Sequence, residues 1–388
     1  MGLKTRGMVA GLLFAAFFSP ETKAQMQMDE LVHAYQQPVE NWPKAIQSSN
    51  EKPQEPTSIN PLKAALKQAY PPNKQKIELG KQLFFDPRLS RSNQIACASC
   101  HDPQQGWADG KRFAFGHNRQ QGSRNSMTVL NTAFSERFFW DGRAASLEQQ
   151  ALMPIQDPKE MHAKLDATLR KLNRINHYKQ AFTKLYAPGK TDYQIQAEHL
   201  GDALASFERT LLSKTTRFDR FVEGDFSQLN KNEIHGLHLF RTKARCIQCH
   251  QGPLFTDNRF HNTGLSYFGR KYQDLGLFEA TGKKEDLGKF KTPSLREIKH
   301  TGPYMHNGLF PTLSGVLRMY NGGITYGNKL KPGEPALSPL IQPLHLTEQE
   351  LQDLEAFLLT LSSRTSRYVA PPELPAQLDQ TITQIDVE

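Results

Sequence analysis

The chain has 388 residues, with Lys+Arg 48 against Asp+Glu 39 and a formal net charge of +9. No run of lysine and arginine is long enough to suggest a nucleic-acid partner, so the excess reads as a solvated, mildly basic surface able to steer an acidic partner. The length is a soft prior for two domains.

In chain order, residues 1–24 read as a secretory signal. Lys4 and Arg6 give a basic start, Met8 to Phe18 an apolar run, and Thr22-Lys23-Ala24 a small-residue cleavage site. The run is too short to span a bilayer comfortably, so no stable membrane insertion is expected. Residues 25–60 are polar and carry Pro38, Pro43, Pro53 and Pro56, which predicts an extended arm. A helix is predicted from Asn73 as N-cap, with Leu79 and Leu83 on one face, ending before Asp86-Pro87.

Next comes Cys97-Ala98-Ser99-Cys100-His101, the attachment signature of a c-type haem. Each thiol can form a thioether to one vinyl group, while the adjacent imidazole reaches the iron. Ile195, Leu200, Leu204, Phe207 and Leu211 mark an amphipathic helix further on. A second signature stands at Cys246-Ile247-Gln248-Cys249-His250, and the two copies use every cysteine in the chain. Zinc would need further ligands at finger-like spacing, and disulfides would leave both histidines unexplained.

Both signatures follow a Gly-x-x-Leu-Phe run, at Gly80–Phe84 and Gly236–Phe240. This internal repeat predicts two small helical cytochrome units, over residues 61–224 and 225–388. A capping box at Thr347–Glu350 opens a closing helix through Leu361. Strand signals are few, so the fold class is mostly α with long loops over 101–145 and 251–312. The hydrophobic fraction of 38% suits a core partly filled by two haem groups. Attachment of haem c is completed outside the bacterial cytoplasm, so the periplasm is the expected location.

Several linked motifs accompany the haem signatures: Leu83–Ser90, Gly116–Asn125, Phe139–Arg143, Phe290–Arg296 and Pro303–Gly308. Together they resemble the bacterial di-haem cytochrome c peroxidases and the related MauG enzymes, over residues 75 to 362. The resemblance implies a peroxide site at the N-terminal haem, with Glu160 as acid–base catalyst and Gln150 and Pro154 lining its pocket. Trp140 matches the tryptophan between the haems, and His117 the histidine that caps the first haem in resting peroxidases. Asn125, Thr301 and Pro303 match a calcium site.

His101 and His250 would be the proximal iron ligands. The second haem's distal position falls on Tyr320, as in MauG, where classical peroxidases have methionine. A phenolate favours higher oxidation states of iron, which points to shared oxidising equivalents. The implied partners are hydrogen peroxide and a small c-type cytochrome or cupredoxin donor, or a protein substrate in the MauG manner. The peroxidases that this chain resembles are commonly dimers, so the resemblance allows a homodimer, while the sequence itself is silent on assembly. His261 and His306 are expected to hydrogen-bond rather than ligate. A non-enzymatic di-haem electron carrier is the competing class, against which Glu160 and Gln150 weigh.

Overall fold

The computed structural model describes residues 20–47, 52–323, 333–363 and 371–376; the basic and apolar parts of the expected signal lie outside these. It is mostly helical. The helices are α1 (Pro20–Tyr35), α2 (Asn60–Ala69), α3 (Lys74–Phe85), α4 (Leu147–Gln156), α5 (Leu165–Arg174) and α6 (Asn176–Tyr186). They continue with α7 (Ala197–Glu208), α8 (Arg217–Val222), α9 (Lys231–Arg241), α10 (Phe278–Thr281), α11 (Leu313–Asn321) and α12 (Glu348–Leu359). Two short antiparallel strands, β1 (Phe260–His261) and β2 (Phe290–Lys291), form the sheet among the described residues. No helix among them is long and apolar enough to cross a membrane.

Two cores repeat one design. In the first, α3 crosses α7; in the second, α9 crosses α12. The repeated glycine makes each crossing close. A Cβ on Gly80 would sit 1.9 Å from the Ala203 carbonyl oxygen, and one on Gly236 would sit 2.0 Å from that of Asp353. Four residues beyond each carbonyl, Phe207 and Phe357 pack on the repeated phenylalanines, with centroids 5.3 Å apart for Phe84–Phe207 and 5.3 Å for Phe240–Phe357. Gly236→Ala must push α12 off α9, a backbone displacement expected to cost about 1–3 kcal/mol or more. A denaturation midpoint unchanged from wild type would contradict that account of the crossing.

The predicted caps form as read. Asn73 accepts from the Lys76 N–H at 3.1 Å, and Thr347 and Glu350 close the capping box on α12. Asp86 is fully buried and gathers Arg88 and the Tyr178 hydroxyl, the latter at 2.6 Å. That explains the Asp-Pro-Arg run before the first haem signature.

Two expectations need correction. Residues 25–60 are not extended throughout: α1 runs to Tyr35, and described residues beyond it lace onto the C-terminal core. Tyr35 and Trp42 join the cluster of Phe218, Phe240 and Phe357, Ile46 donates to the Arg241 carbonyl, and Gly252 to that of Gln54. The expected boundary at Gly224 is also late. Helix α8 contributes Phe218 and Phe221 to the C-terminal core, whereas Leu211 belongs to the N-terminal one, so the division falls between Leu211 and Thr216. Proline and charge content conceal such docking, because these segments bury only scattered aromatic side chains.

Candidate active site

Each Cys-x-x-Cys-His segment folds as one tight turn. The His101 N–H donates to the Cys97 carbonyl at 3.0 Å, and that of His250 to the Cys246 carbonyl at 2.8 Å. The imidazoles are then oriented alike. His101 Nδ1 lies 3.2 Å from the Trp107 carbonyl oxygen, and His250 Nδ1 lies 3.0 Å from that of Phe255. A carbonyl only accepts, so Nδ1 carries the proton in each ring and Nε2 keeps a free lone pair, the arrangement that orients a metal-ligating histidine. Burial pushes both imidazoles below their ordinary pKa and so holds them neutral.

No disulfide joins the four cysteines. Burial pushes the Cys100 and Cys246 thiols up to about 12. Among the described residues, the cluster of metal-ligand types is Cys249, Asp257 and His261, which includes neither signature histidine. His261 is engaged as expected, with Nε2 2.8 Å from Asp257 and Nδ1 3.5 Å from Ser338. His306 is buried and stacks on Phe290, centroids 3.5 Å apart.

One continuous cavity is lined by both signature histidines and by Cys97, Cys100 and Cys246. Gln150 and Pro154 reach it from α4, Glu160 from the following loop and Tyr320 from α11; Met319 is not among its walls. Pro154 has no N–H, so the Gln150 carbonyl loses its helical partner at this wall. Burial, reinforced by Asp157, pushes the Glu160 carboxyl up to about 7, so both protonation states are accessible near neutrality. Its loop packs tightly on the 116–122 loop: a Cβ on Gly116 would lie 2.1 Å from the Lys159 carbonyl oxygen. Burial likewise raises the Tyr320 phenol well above its usual range.

Trp140 also lines the cavity and is tied to both halves. Its indole N–H donates to the Asn125 carbonyl at 2.9 Å, while its own carbonyl accepts from the Lys291 N–H at 2.8 Å. Asn125, Thr301 and Pro303 reach the same cavity.

His117 is the expected residue that the structure leaves out. It is buried, but it is absent from the cavity wall; its ring packs edge-on against His162, centroids 4.7 Å apart. The His117 N–H donates to the Glu160 carbonyl at 2.7 Å, and that bond ties the His117 loop to the segment that carries Glu160.

The cavity also has walls that the sequence did not announce. Glu208, on α7, is buried with Oε2 unpartnered, and burial pushes it up to about 8. Lys291 is buried beside Trp140, and burial lowers its amine to about 8. Its amine lies 3.5 Å from the Ser135 hydroxyl. Glu208 follows an apolar helical pattern and reads as one polar interruption. Lys291 lies within a quoted motif but has no role readable without the cavity.

The di-haem cytochrome c peroxidase family model matches residues 74–227. The chain is 40% identical over 311 residues to the methylamine utilization protein MauG of Methylorubrum extorquens, covering 79% of this chain and 83% of that protein. It belongs to the di-haem cytochrome c peroxidase and MauG family. The cytochrome c551 peroxidase of Nitrosomonas europaea is 38% identical over 256 residues, 66% of this chain and 74% of the relative. Among solved structures, a MauG-like protein associated with microbial copper homeostasis superposes with a TM-score of 0.67 at 30% identity, covering 82% of this chain and 96% of that one.

The protein is therefore an enzyme of a family that acts on peroxide, with haem as cofactor. The cavity suits that cofactor. Two free imidazole nitrogens could hold iron, the walls are largely apolar, and the buried ammonium of Lys291 could offer a counter-charge to a carboxylate.

Proposed function

We propose that the chain is a periplasmic di-haem peroxidase that reduces hydrogen peroxide at the N-terminal haem and shares the oxidising equivalents with the C-terminal one. The observation that carries this is the common wall: His101, His250, Glu160, Trp140 and Tyr320 all line one cavity. Thioethers at Cys97, Cys100, Cys246 and Cys249 would hold the two groups, with His101 and His250 as proximal ligands. When bound, haem iron supplies the electrons for peroxide and the open position at which peroxide is held.

The residues of the chain do the rest. Gln150 and Pro154 shape the first pocket. Ionised Glu160 takes a proton from one peroxide oxygen and returns it to the other, which leaves as water. Two electrons and two protons convert the peroxide to two waters. Trp140, bonded to both halves, is placed to conduct between them. Tyr320, on the same cavity wall, would supply a phenol oxygen to the second iron. Asn125, Thr301 and Pro303 offer only hard oxygen donors, which suits calcium at the junction of the halves. A small c-type cytochrome or cupredoxin would return the electrons, guided by the excess positive charge of the chain.

Tyr320 also favours a second reading. A phenolate at the second site suits a long-held oxidised state better than rapid turnover with a small donor, and so supports oxidation of a partner protein's side chains. EPR of the resting holoenzyme tests the ligand. Tyr320→Phe is expected to abolish one low-spin signal of tyrosinate character and leave the other haem unchanged. An identical spectrum would remove Tyr320 from the iron. Rapid oxidation of a reduced small cytochrome by peroxide would favour the peroxidase. A doubly oxidised form that decays only with one protein partner would favour side-chain oxidation.

A further inference from the structure

The segment that crosses from the N-terminus onto the C-terminal core carries two buried, oxidisable rings. Tyr35 is fully buried and Trp42 is 6% exposed, with centroids 5.0 Å apart. The Tyr35 hydroxyl accepts from Arg241 Nη1 at 2.7 Å, which leaves its own hydrogen for His238 Nδ1 at 3.1 Å. Burial, with His235 and Arg241 nearby, holds His238 down at about 4, so the ring is an uncharged base at neutral pH. The Arg241 charge, which would oppose removal of an electron from Tyr35, is matched by Glu55 at 2.7 and 2.8 Å.

The position of the pair follows from α9. Residues 238 and 241 lie on one face of this helix, while Phe240, about 200° round from 238, lines the cavity on the opposite side. Tyr35 thus stands across the thickness of one helix from the second haem's place, about 10–12 Å with side chains. Anchoring alone would account for the buried rings and the arginine contact. It does not call for a neutral base in line with the phenol hydrogen beside a second oxidisable ring.

We propose that Tyr35, with Trp42 beside it, is a redox relay between the C-terminal haem and the protein's outer donor. This rests on the reading that peroxide oxidises the enzyme and that an oxidising equivalent reaches the second haem. Tyr35 gives one electron inward, reducing that centre by one. Its O–H bond breaks, and the proton forms an N–H bond on His238. The neutral phenoxyl is then reduced by one electron from a small redox protein, and the proton returns to the oxygen. One electron has moved inward, and no atom is gained or lost.

The test uses the full holoenzyme, mixed with hydrogen peroxide without donor and freeze-quenched for EPR, with the Soret band followed in parallel. The wild type should give an organic radical of tyrosyl character. That signal should be lost in Tyr35→Phe and in His238→Gln while the Soret response persists. A Soret response with no radical, or with a radical unchanged in Tyr35→Phe, overturns the relay alone. No Soret response in the wild type overturns the peroxide reading and the relay with it. Should Tyr35→Phe fail to keep both haems, His238→Gln decides, since it leaves the phenol and Arg241 in place. An unchanged radical there also overturns the proposal.

Discussion

Glu160→Gln is expected to slow the reaction of the holoenzyme with hydrogen peroxide by about 10²–10⁴-fold, the usual contribution of a positioned acid–base group. Glutamine preserves the volume of the side chain and its place against the 116–122 loop, but it cannot take up a proton. The carboxyl is pushed up to about 7 by burial, and its ionised form is the base. The wild-type rate should therefore rise as pH increases through 7, and the variant should be flat across the same window. Stability moves the other way. The folded pKa lies above the ordinary glutamate value of 4.5, so the native state binds the extra proton between the two. The associated stabilisation is complete below about 4.5 and is lost as pH rises through about 7. Glutamine should hence gain on the wild type in unfolding midpoint at pH 8 relative to pH 5. Stopped-flow Soret measurements check the rate, and an undiminished rate would remove Glu160 from the proton transfer.

Arg296→Met carries the largest stability effect. The guanidinium is fully buried against fully buried Asp219, with Nη1 at 2.8 and 2.9 Å from the two carboxylate oxygens. Its other nitrogens donate to the carbonyls of Pro253 at 2.8 Å and Thr57 at 3.1 Å. Asp219 also accepts from the backbone of Ile59 and Thr216. One side chain thereby joins the N-terminal segment, α8 and the loop behind the second haem signature. Methionine fills most of the volume but strands a buried carboxylate, a loss of about 3–5 kcal/mol. Chemical denaturation measures it, and a variant as stable as wild type would mean that Asp219 finds other compensation.

The sequence made the local chemistry legible because that chemistry is contiguous. Two pentapeptides bring their own turns, and caps at Asn73 and Thr347 form from residues three apart. The repeated Gly-x-x-Leu-Phe was also visible, but its reason was not. Gly80 and Gly236 are required by carbonyls more than a hundred positions away, at Ala203 and Asp353. The same distance in sequence hid Glu208 and Lys291, whose neighbours come from other elements. His117 was expected at an iron on resemblance. In the structure its ring packs against His162 outside the cavity wall, and no pattern of residue types encodes that packing. The docking of Tyr35, Trp42, Ile46 and Gln54 is not legible, because a few anchoring residues spread over a polar stretch have no periodicity.

That docking makes the connectivity of the molecule circular in effect. The later-synthesised unit is completed by the stretch that carries Tyr35 and Trp42, which has to reach past the whole intervening unit to arrive there. The two units therefore cannot be parted by a cut between them and handled as interchangeable modules. A fragment starting after Gly224 would lack Tyr35, Trp42, Phe218 and Asp219 together. Swapping the second unit between relatives would have to carry its distant opening stretch along with it.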